Sequence, residues 1–83
     1  MKDVIRLGDT TDHGGEVITG SQWMKFRGIS VARLGDQVTC PQHPDTSPNV
    51  ITEGDQKFKD HGVPVARHGH HATCGCSLIS SIT

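Results

Sequence analysis

Short runs of β-branched and apolar residues alternate with glycine-containing turns along the whole chain. Glycines at Gly20, Gly28, Gly54 and Gly62 mark turns at which a positive φ angle is expected. No stretch carries a helical period long enough to predict a helix. The segments that the pattern predicts as strands are Glu16 to Thr19, Gln22 to Phe26, Ile29 to Leu34, Asn49 to Thr52, Lys57 to Lys59 and Val63 to Arg67. We therefore predict an all-β domain of short hairpins.

Two further segments have a clear prediction. The tract from Pro41 to Pro48 holds three prolines, which cannot donate to a strand ladder, so we expect an ordered or metal-tied loop there. The tail from Cys76 to Thr83 is mostly Ser, Thr, Leu and Ile, and we expect it to form a last strand.

An internal repeat organises these segments. The stretch from Val31 to Cys40 returns as Val65 to Cys74, at an offset of 34 residues (65 − 31). Upstream of it, Val17 to Gln22 matches Val50 to Gln56 if Glu53 is an insertion. A partial third copy opens the chain, where Arg6-Leu7-Gly8-Asp9 followed by His13 matches Arg33-Leu34-Gly35-Asp36 followed by Cys40, at an offset of 27 residues (33 − 6). Three copies in one chain predict pseudo-threefold symmetry.

The composition indicates that the core needs a covalent or metal staple. The 83 residues allow one domain, 1–83, and only 33% of them are apolar, with no tyrosine, one tryptophan and two phenylalanines. A core of this size rarely stabilises a domain alone. Three cysteines and six histidines are a high density of metal ligands for so short a chain. A bound metal ion is therefore the first hypothesis.

Charge and hydropathy exclude several partner classes. The net charge is −1 and neither sign forms a long run, so neither nucleic acid nor an anionic membrane is an expected partner. The start, Met1 to Arg6, lacks the apolar stretch of a secretory signal, and no segment could be stably inserted in a membrane. We expect a protein made in the cytoplasm. An odd cysteine count there disfavours a disulfide framework.

The candidate metal ligands recur at one position of the repeat. His13, Cys40 and Cys74 each lie four residues after an equivalent Asp9, Asp36 or His70. Threefold symmetry would bring the three together, and the nitrogen and sulfur donors favour one structural zinc ion in a closed tetrahedral shell. Our preferred ligands are His13, His43, His70 and Cys74, with Cys40 as the substitute if His70 points to solvent. The alternative is that the histidines lie on the surface and the cysteines are small buried side chains.

Catalysis is not expected from these residues. A catalytic zinc keeps an open position beside a general base, whereas four or five candidate ligands would fill the shell. Glu16 and Glu53 are the only glutamates and fall at strand edges or turns. Asp9 and Asp36 occupy equivalent positions and are expected to accept backbone N–H bonds in turns.

The chain resembles the PAAR-repeat family, named for a Pro-Ala-Ala-Arg motif. Pro64-Val65-Ala66-Arg67 is a close variant of that motif and Ser30-Val31-Ala32-Arg33 is a weaker one. The following Gly-Asp, His13-Gly14-Gly15 and Cys40-Pro41-Gln42-His43 are also typical, so the resemblance covers nearly the whole chain. The departures are Ser30 in place of proline and His70 in place of aspartate, and the latter favours His70 as a ligand.

The resemblance implies a fold and a function. The family has a conical β-structure with zinc near its apex and a broad base that sits on the trimeric VgrG spike of a type VI secretion system. It implies a structural, non-enzymatic tip that aids membrane puncture, with the monomer capping the trimer. Separate effector proteins would be delivered with it. Such a tip leaves the cytoplasm through the secretion apparatus without a signal peptide.

Three other functions compete with this interpretation. The main one is a free-standing zinc-binding adaptor or chaperone, which would bind an effector and never the trimer. A small metal-dependent hydrolase would need an open metal position beside a cleft. A nucleic-acid-binding zinc module is disfavoured by the charge.

Overall fold

A computed structural model describes residues 3–46 and 48–82, so Met1, Lys2, Ser47 and Thr83, which fall within predicted segments, lie outside the described residues. The strands are β1 (Thr10–Thr11), β2 (Lys25–Phe26), β3 (Ile29–Ser30), β4 (Asp55–Asp60), β5 (Val63–Val65) and β6 (Leu78–Ile79). They pair antiparallel as β1 with β6, β2 with β3 and β4 with β5. The described part of the chain has no helix, and therefore none that could cross a membrane. The all-β prediction is confirmed.

Much of the predicted strand structure consists of isolated bridges. The segments at Glu16 to Thr19 and Asn49 to Thr52 contribute single pairings, such as Val17 with Val38 and Ile51 with Ala72. The tail does form a strand, β6, although it is only two residues long. The described residues of the Pro41 to Pro48 tract contain turns and no strand, as predicted. The chain changes direction too often for long ladders.

Three rings of backbone hydrogen bonds build the predicted pseudo-threefold symmetry. In the first ring the N–H of Ile5 donates to Ala66 O, that of Ala66 to Ala32 O and that of Ala32 to Ile5 O, at 2.8–3.0 Å. In the second ring the donors are Leu7, Leu34 and His68, and the acceptors are Ser30, Pro64 and Asp3. In the third, equivalent carbonyls of Asp9, Asp36 and His70 accept from Val17, Ile51 and Leu78. Each copy is thus bonded to the other two around one axis.

The third ring corrects the sequence alignment of the copies. Gly8 N donates to Val17 O and Gly35 N donates to Ile51 O, both at 2.9 Å, so Val17 is equivalent to Ile51. Val50 is therefore not its counterpart. The offset of 34 residues (51 − 17) then holds through both copies, and Glu53 is not an insertion. The extra residues of the second copy lie in the proline-rich loop instead.

The turn before each ligand position is built the same way in all three copies. The backbone N–H of Arg6 donates to Asp9 Oδ2 at 2.8 Å, and that of Arg33 donates to Asp36 Oδ2 at 2.7 Å. In the third copy Arg67 N donates to Nδ1 of His70 at 3.0 Å. The two aspartates are therefore turn-forming acceptors, as predicted, and an imidazole nitrogen does the same in the third copy.

Glycines serve two different purposes in the turns. Gly28 and Gly62 have φ angles of 81° and 83° in the turns that join β2 to β3 and β4 to β5, as predicted. Gly20 and Gly54 do not adopt positive φ, so that part of the prediction is wrong. They are needed for close approach, because a Cβ at Gly54 would lie 2.6 Å from Pro64 Cβ.

Two apolar clusters lie one behind the other along the pseudo-threefold axis. The first core cluster consists of Ile5, Val17, Ala32, Val38, Ile51, Ala66, Ala72, Cys76 and Leu78, with Cys74 packed against it. The second core cluster consists of Val4, Val31 and Val65, with Met24, Phe58 and Ile82 packed against it. Neighbouring residues of each copy alternate between the two clusters, because successive side chains of an extended chain point in opposite directions. The β2–β3 and β4–β5 hairpins contact the second cluster, so they lie at the opposite end from Cys74.

A buried carboxylate ties the two hairpins together. Asp60 at the end of β4 accepts a hydrogen bond from the Ser21 hydroxyl, and its other oxygen lies 2.8 Å from Nδ1 of His61. An amino group of Arg33 lies 3.5 Å away. Ser21 in turn accepts the backbone N–H groups of Trp23 and Met24. The hydrogen bond from Ser21, the contact with His61 and the charge of Arg33 hold the pKa of Asp60 below its usual value.

Replacing Asp60 with asparagine should therefore change how stability depends on pH. Because the folded-state pKa is the lower one, the carboxylate stabilises the fold at pH values above its ordinary pKa, and this stabilisation is lost as the pH falls below about 4. We expect Asp60→Asn to be less stable than the parent at neutral pH and to lose less stability on acidification. Urea denaturation between neutral pH and about pH 3 measures both, with exposed Asp45→Asn as the control. Parallel curves for the parent and Asp60→Asn would contradict the assignment.

Candidate metal centre

Three loops converge at the end of the axis opposite the hairpins. They follow the three equivalent turns and carry His13, Cys40 and the Cys74-Gly75-Cys76 segment. The loops reverse tightly: Gly14 N donates to Thr11 O and Gly75 N donates to Ala72 O, with φ angles of 83° and 89° at these glycines. The second loop reverses at its start through His43 N, which donates to Cys40 O at 3.0 Å.

Four side chains meet there. The ligand atoms of His13, Cys40, Cys74 and Cys76 all lie within 4.8 Å of one another. Nδ1 of His13 is 3.5 Å from the Cys40 sulfur, and the sulfurs of Cys74 and Cys76 are 3.2 Å apart. Cys40 and Cys76 are buried, whereas His13 and Cys74 are partly exposed. One nitrogen and three sulfurs therefore face a common point.

This spacing suits a single tetrahedral ion. A zinc ion bonded to sulfur at about 2.3 Å and to nitrogen at about 2.0 Å holds neighbouring ligand atoms roughly 3.5 to 3.8 Å apart. The distances in the cluster bracket that range. One histidine and three cysteines are also a donor set found in structural metal sites. The cluster can hold a metal ion with all four positions taken by protein.

The thiols at the centre differ in acidity. Burial opposes ionisation of Cys74, but the N–H and the thiol of Cys76 together with the amide of Asn49 lower the pKa of Cys74 to about 6. Burial and the neighbouring Cys74 raise the pKa of Cys76 to about 12, and burial likewise raises the pKa of Cys40. Cys74 is thus the first thiolate offered to a cation, and a cation would promote loss of the other two protons.

Two polar groups lie beside the ligands, and one of them is hydrogen-bonded to its ligand. A carboxylate oxygen of Asp12 lies 3.8 Å from Nε2 of His13, on the far side of the ring from Cys40. The amide of buried Asn49 bonds to Cys74 twice, because Nδ2 donates to its sulfur and Oδ1 accepts its backbone N–H, both at 3.3 Å. Such outer contacts fix ligand orientation and usually alter metal affinity when they are removed.

Removing the Asn49 amide should weaken metal binding without removing a ligand. We expect Asn49→Ala to lower metal affinity by about tenfold to a hundredfold, because Cys74 loses a hydrogen-bond donor to its sulfur and a partner for its backbone. Competition with a chromophoric chelator measures the affinity. Asp45→Ala on the exposed surface of the same loop is the control and should bind metal like the parent. Equal affinities for Asn49→Ala and the parent would contradict this role.

The structure brings together three of the five candidate ligands: His13, Cys40 and Cys74. His43 is exposed and stands just outside them, with its ring centroid 5.3 Å from that of His13. His70 does not join the cluster, because its Nδ1 is the acceptor that closes the turn at Arg67. The nitrogen Nδ1 thus takes over the hydrogen bond that an aspartate makes at the equivalent position of the other two copies. Cys40 takes the place that the preferred set gave to His70.

Sequence reasoning missed Cys76. Its place in the repeat carries the signal: Cys76 lies two residues before buried Leu78, as Gly15 precedes Val17 and Asn49 precedes Ile51. All three positions face the axis at the metal end. Gly15 packs against Thr39 O, Asn49 bonds to Cys74 and Cys76 supplies a sulfur. The corrected alignment, had it been applied to the sequence, would have placed Cys76 beside the other ligands.

The remaining histidines have partners elsewhere. His68 Nδ1 accepts the backbone N–H of Ser80 at 3.0 Å, and His71 Nδ1 lies 2.6 Å from Glu53 Oε1 on the surface. The ring of His61 stacks on Trp23, with centroids 4.3 Å apart. The sequence placed His61 and His68 outside the metal site, and the structure places them there too.

Fold and site together define a small pseudo-threefold β-domain closed at one end by a histidine and cysteine cluster. The family model described as the PAAR motif matches residues 7–80, and the chain belongs to the PAAR motif family. No curated protein matches the chain. Membership implies a protein associated with the tip of a type VI secretion spike, and proteins of this family are structural rather than enzymatic.

Proposed function

We propose that this chain is the tip that caps and sharpens a trimeric VgrG spike, aiding membrane puncture and the delivery of separate effectors. The observation that carries the proposal is the closed first ring, together with the two further sets of three equivalent hydrogen bonds, which relates three copies within one chain around an axis. A monomer with this symmetry can present matching surfaces to three identical subunits. The hairpin end, with the second core cluster at its centre, is the end that meets the trimer.

Zinc is the metal we propose for the centre. Its preference for tetrahedral nitrogen and sulfur sets agrees with His13 and the three cysteines, and it needs no redox partner. Bound there, it would crosslink three loops at the leading end of the domain. A crosslink at this point resists opening of a domain whose core is small.

The test is assembly with the trimer. Coexpressed with the VgrG trimer of the source bacterium, the tagged chain should co-purify at one copy per three subunits, as read by native mass spectrometry. The substitution Val63→Glu, on the hairpin end, should abolish that complex. The substitution Thr10→Glu, at an exposed position of β1, should leave the complex intact. A monomeric chain that never binds the trimer would sink the proposal.

An effector adaptor is the competing function. Such a protein would bind a monomeric effector with the trimer absent and would gain nothing from threefold symmetry. The closed first ring favours the spike tip, since an adaptor for one monomeric partner needs only one face. We further propose that the chain is loaded onto the spike in the cytoplasm and is exported with it. We also propose that it has no catalytic activity of its own.

A further inference from the structure

The charged side chains of this protein are sorted along its axis. Lys25, Arg27, Lys57 and Lys59 are exposed, and all four lie on the β2–β3 and β4–β5 hairpins. In the described ranges no other lysine or arginine is exposed, because Arg6 and Arg67 are buried and Arg33 is half-buried. The exposed cations of the described chain are therefore concentrated at the end away from the metal centre.

The hairpin acids do not offset these cations. Asp60 is buried against Arg33, and Asp55 lies 3.2 Å from Arg67, so each of these carboxylates faces a buried or half-buried arginine. Asp3, also at this end, is half-buried. The exposed acids lie outside the two hairpins: Asp12, Glu16, Asp45 and Glu53. The small net charge of −1 thus hides a strong separation of charge.

The cations surround an apolar centre. The second core cluster faces this end through Met24 and Phe58, which are only partly buried. Phe26 and Ile29 on the β2–β3 hairpin are exposed, and so is Trp23 just before it, to 61%. The guanidinium of Arg27 lies 5.3 Å from the centroid of the Phe26 ring. The aliphatic part of the Arg27 side chain therefore lies on the apolar surface, and its charge lies at the edge of that surface. An apolar centre with a charged rim is the usual anatomy of a protein interface.

From this arrangement we infer that the spike surface receiving the tip carries carboxylates around an apolar centre, and that Lys25, Arg27, Lys57 and Lys59 steer the tip onto it. The inference rests on the proposed function and names the chemistry of its partner. Charge complementarity selects the hairpin end for docking, because the exposed acids outside the hairpins would be repelled by the same surface. Rim charges of this kind act mainly on the association rate and its salt dependence.

The test compares association rates at two ionic strengths. Replacing all four cations with glutamine should slow association with the VgrG trimer about tenfold or more at low ionic strength. The difference from the parent should nearly vanish at about 0.5 M salt, where the Debye length is about 4 Å. Surface plasmon resonance gives the rates, and near-ultraviolet circular dichroism of Trp23 verifies that the variant is folded.

A matched pair of variants separates position from net charge. Lys59→Gln and Gln37→Glu each change the charge by one unit, the first on the rim and the second on an exposed residue beside Val38 of the first core cluster. Only Lys59→Gln should slow association.

If the fourfold variant binds like the parent at low salt, the inference is wrong while the tip function stands. If the parent binds the trimer at no ionic strength, the tip function fails as well. Cation-dependent binding to phosphatidylglycerol vesicles, with trimer association unchanged, would assign the cations to a membrane and overturn the inference.

Discussion

Stripping the metal with a chelator is expected to lower the midpoint of thermal unfolding by about 20 °C or more. A structural ion contributes its binding free energy to folding, and each kcal/mol shifts the midpoint of a domain this small by about 4 to 8 °C. Without the ion, three loops would separate and two buried thiols would lose their partner. Elemental analysis, zinc-edge absorption and melts with and without chelator measure occupancy, coordination and stability. An unchanged melt after complete removal of metal would contradict a structural role.

Single substitutions identify the ligands in the same assay. Cys76→Ser should reduce metal affinity and stability about as severely as Cys40→Ser, because each removes one of the sulfurs that face the common point. His43→Ala should retain the metal. His70→Asp should retain both metal and fold, because aspartate accepts the equivalent backbone hydrogen bond in the other two copies. Loss of metal from His70→Asp together with retention by Cys76→Ser would restore the ligand set expected from sequence.

Gly15→Ala is expected to destabilise the domain by about 3 kcal/mol or more. The added Cβ would lie 1.9 Å from Thr39 O, a backbone atom of the strand segment leading to Cys40, so the second metal loop would have to move. Urea denaturation at saturating metal measures the loss, and chelator competition should show weaker metal binding as well.

Gly8→Ala is the matched control for this glycine. Its φ angle is 89° and nothing lies within 4 Å of an added Cβ, so only backbone strain of about 1 to 2 kcal/mol is expected. Metal affinity should not change, because Gly8 lies in the turn before the loop and not in the loop itself. Equal losses of stability in the two variants would mean that the contact at Thr39 relaxes freely.

The symmetry of the fold was predictable because it repeats in the sequence at fixed offsets. Arg6 to Asp9 and Arg33 to Asp36 form the same hydrogen-bonded turn, so identical residues report identical geometry. The turns of the two hairpins were also predictable, because a glycine with positive φ lies in each of them, at Gly28 and Gly62. Strand lengths were not, since many pairings here are single bridges, and some of these join different copies, such as Val4 with Arg67 and Arg33 with Val65.

The ligand set was only partly predictable because a histidine has more than one use. His70 offers the same nitrogen to a metal or to a backbone N–H, and the composition alone cannot decide between them. In the structure Nδ1 of His70 accepts the backbone N–H of Arg67 and the residue lies outside the cluster of candidate ligands. Cys76 was hidden for a different reason: the alignment that matched Val17 with Val50 gave Cys76 no counterpart, and its true equivalents, Gly15 and Asn49, are not themselves candidate ligands. Tertiary placement toward the axis gives it that role.

The closed first ring also determines when this chain can fold during synthesis. The N–H of Ile5 finds its acceptor on Ala66, near the other end of the chain, and Ser80 donates its hydroxyl hydrogen to Val4 O. A nascent chain therefore leaves the N–H of Ile5 and the carbonyl of Val4 without these partners until Ala66 and Ser80 have emerged from the ribosome. Contacts this distant in sequence slow folding and make it cooperative. The domain should therefore fold in a single step, with no stable intermediate formed by its first copy alone.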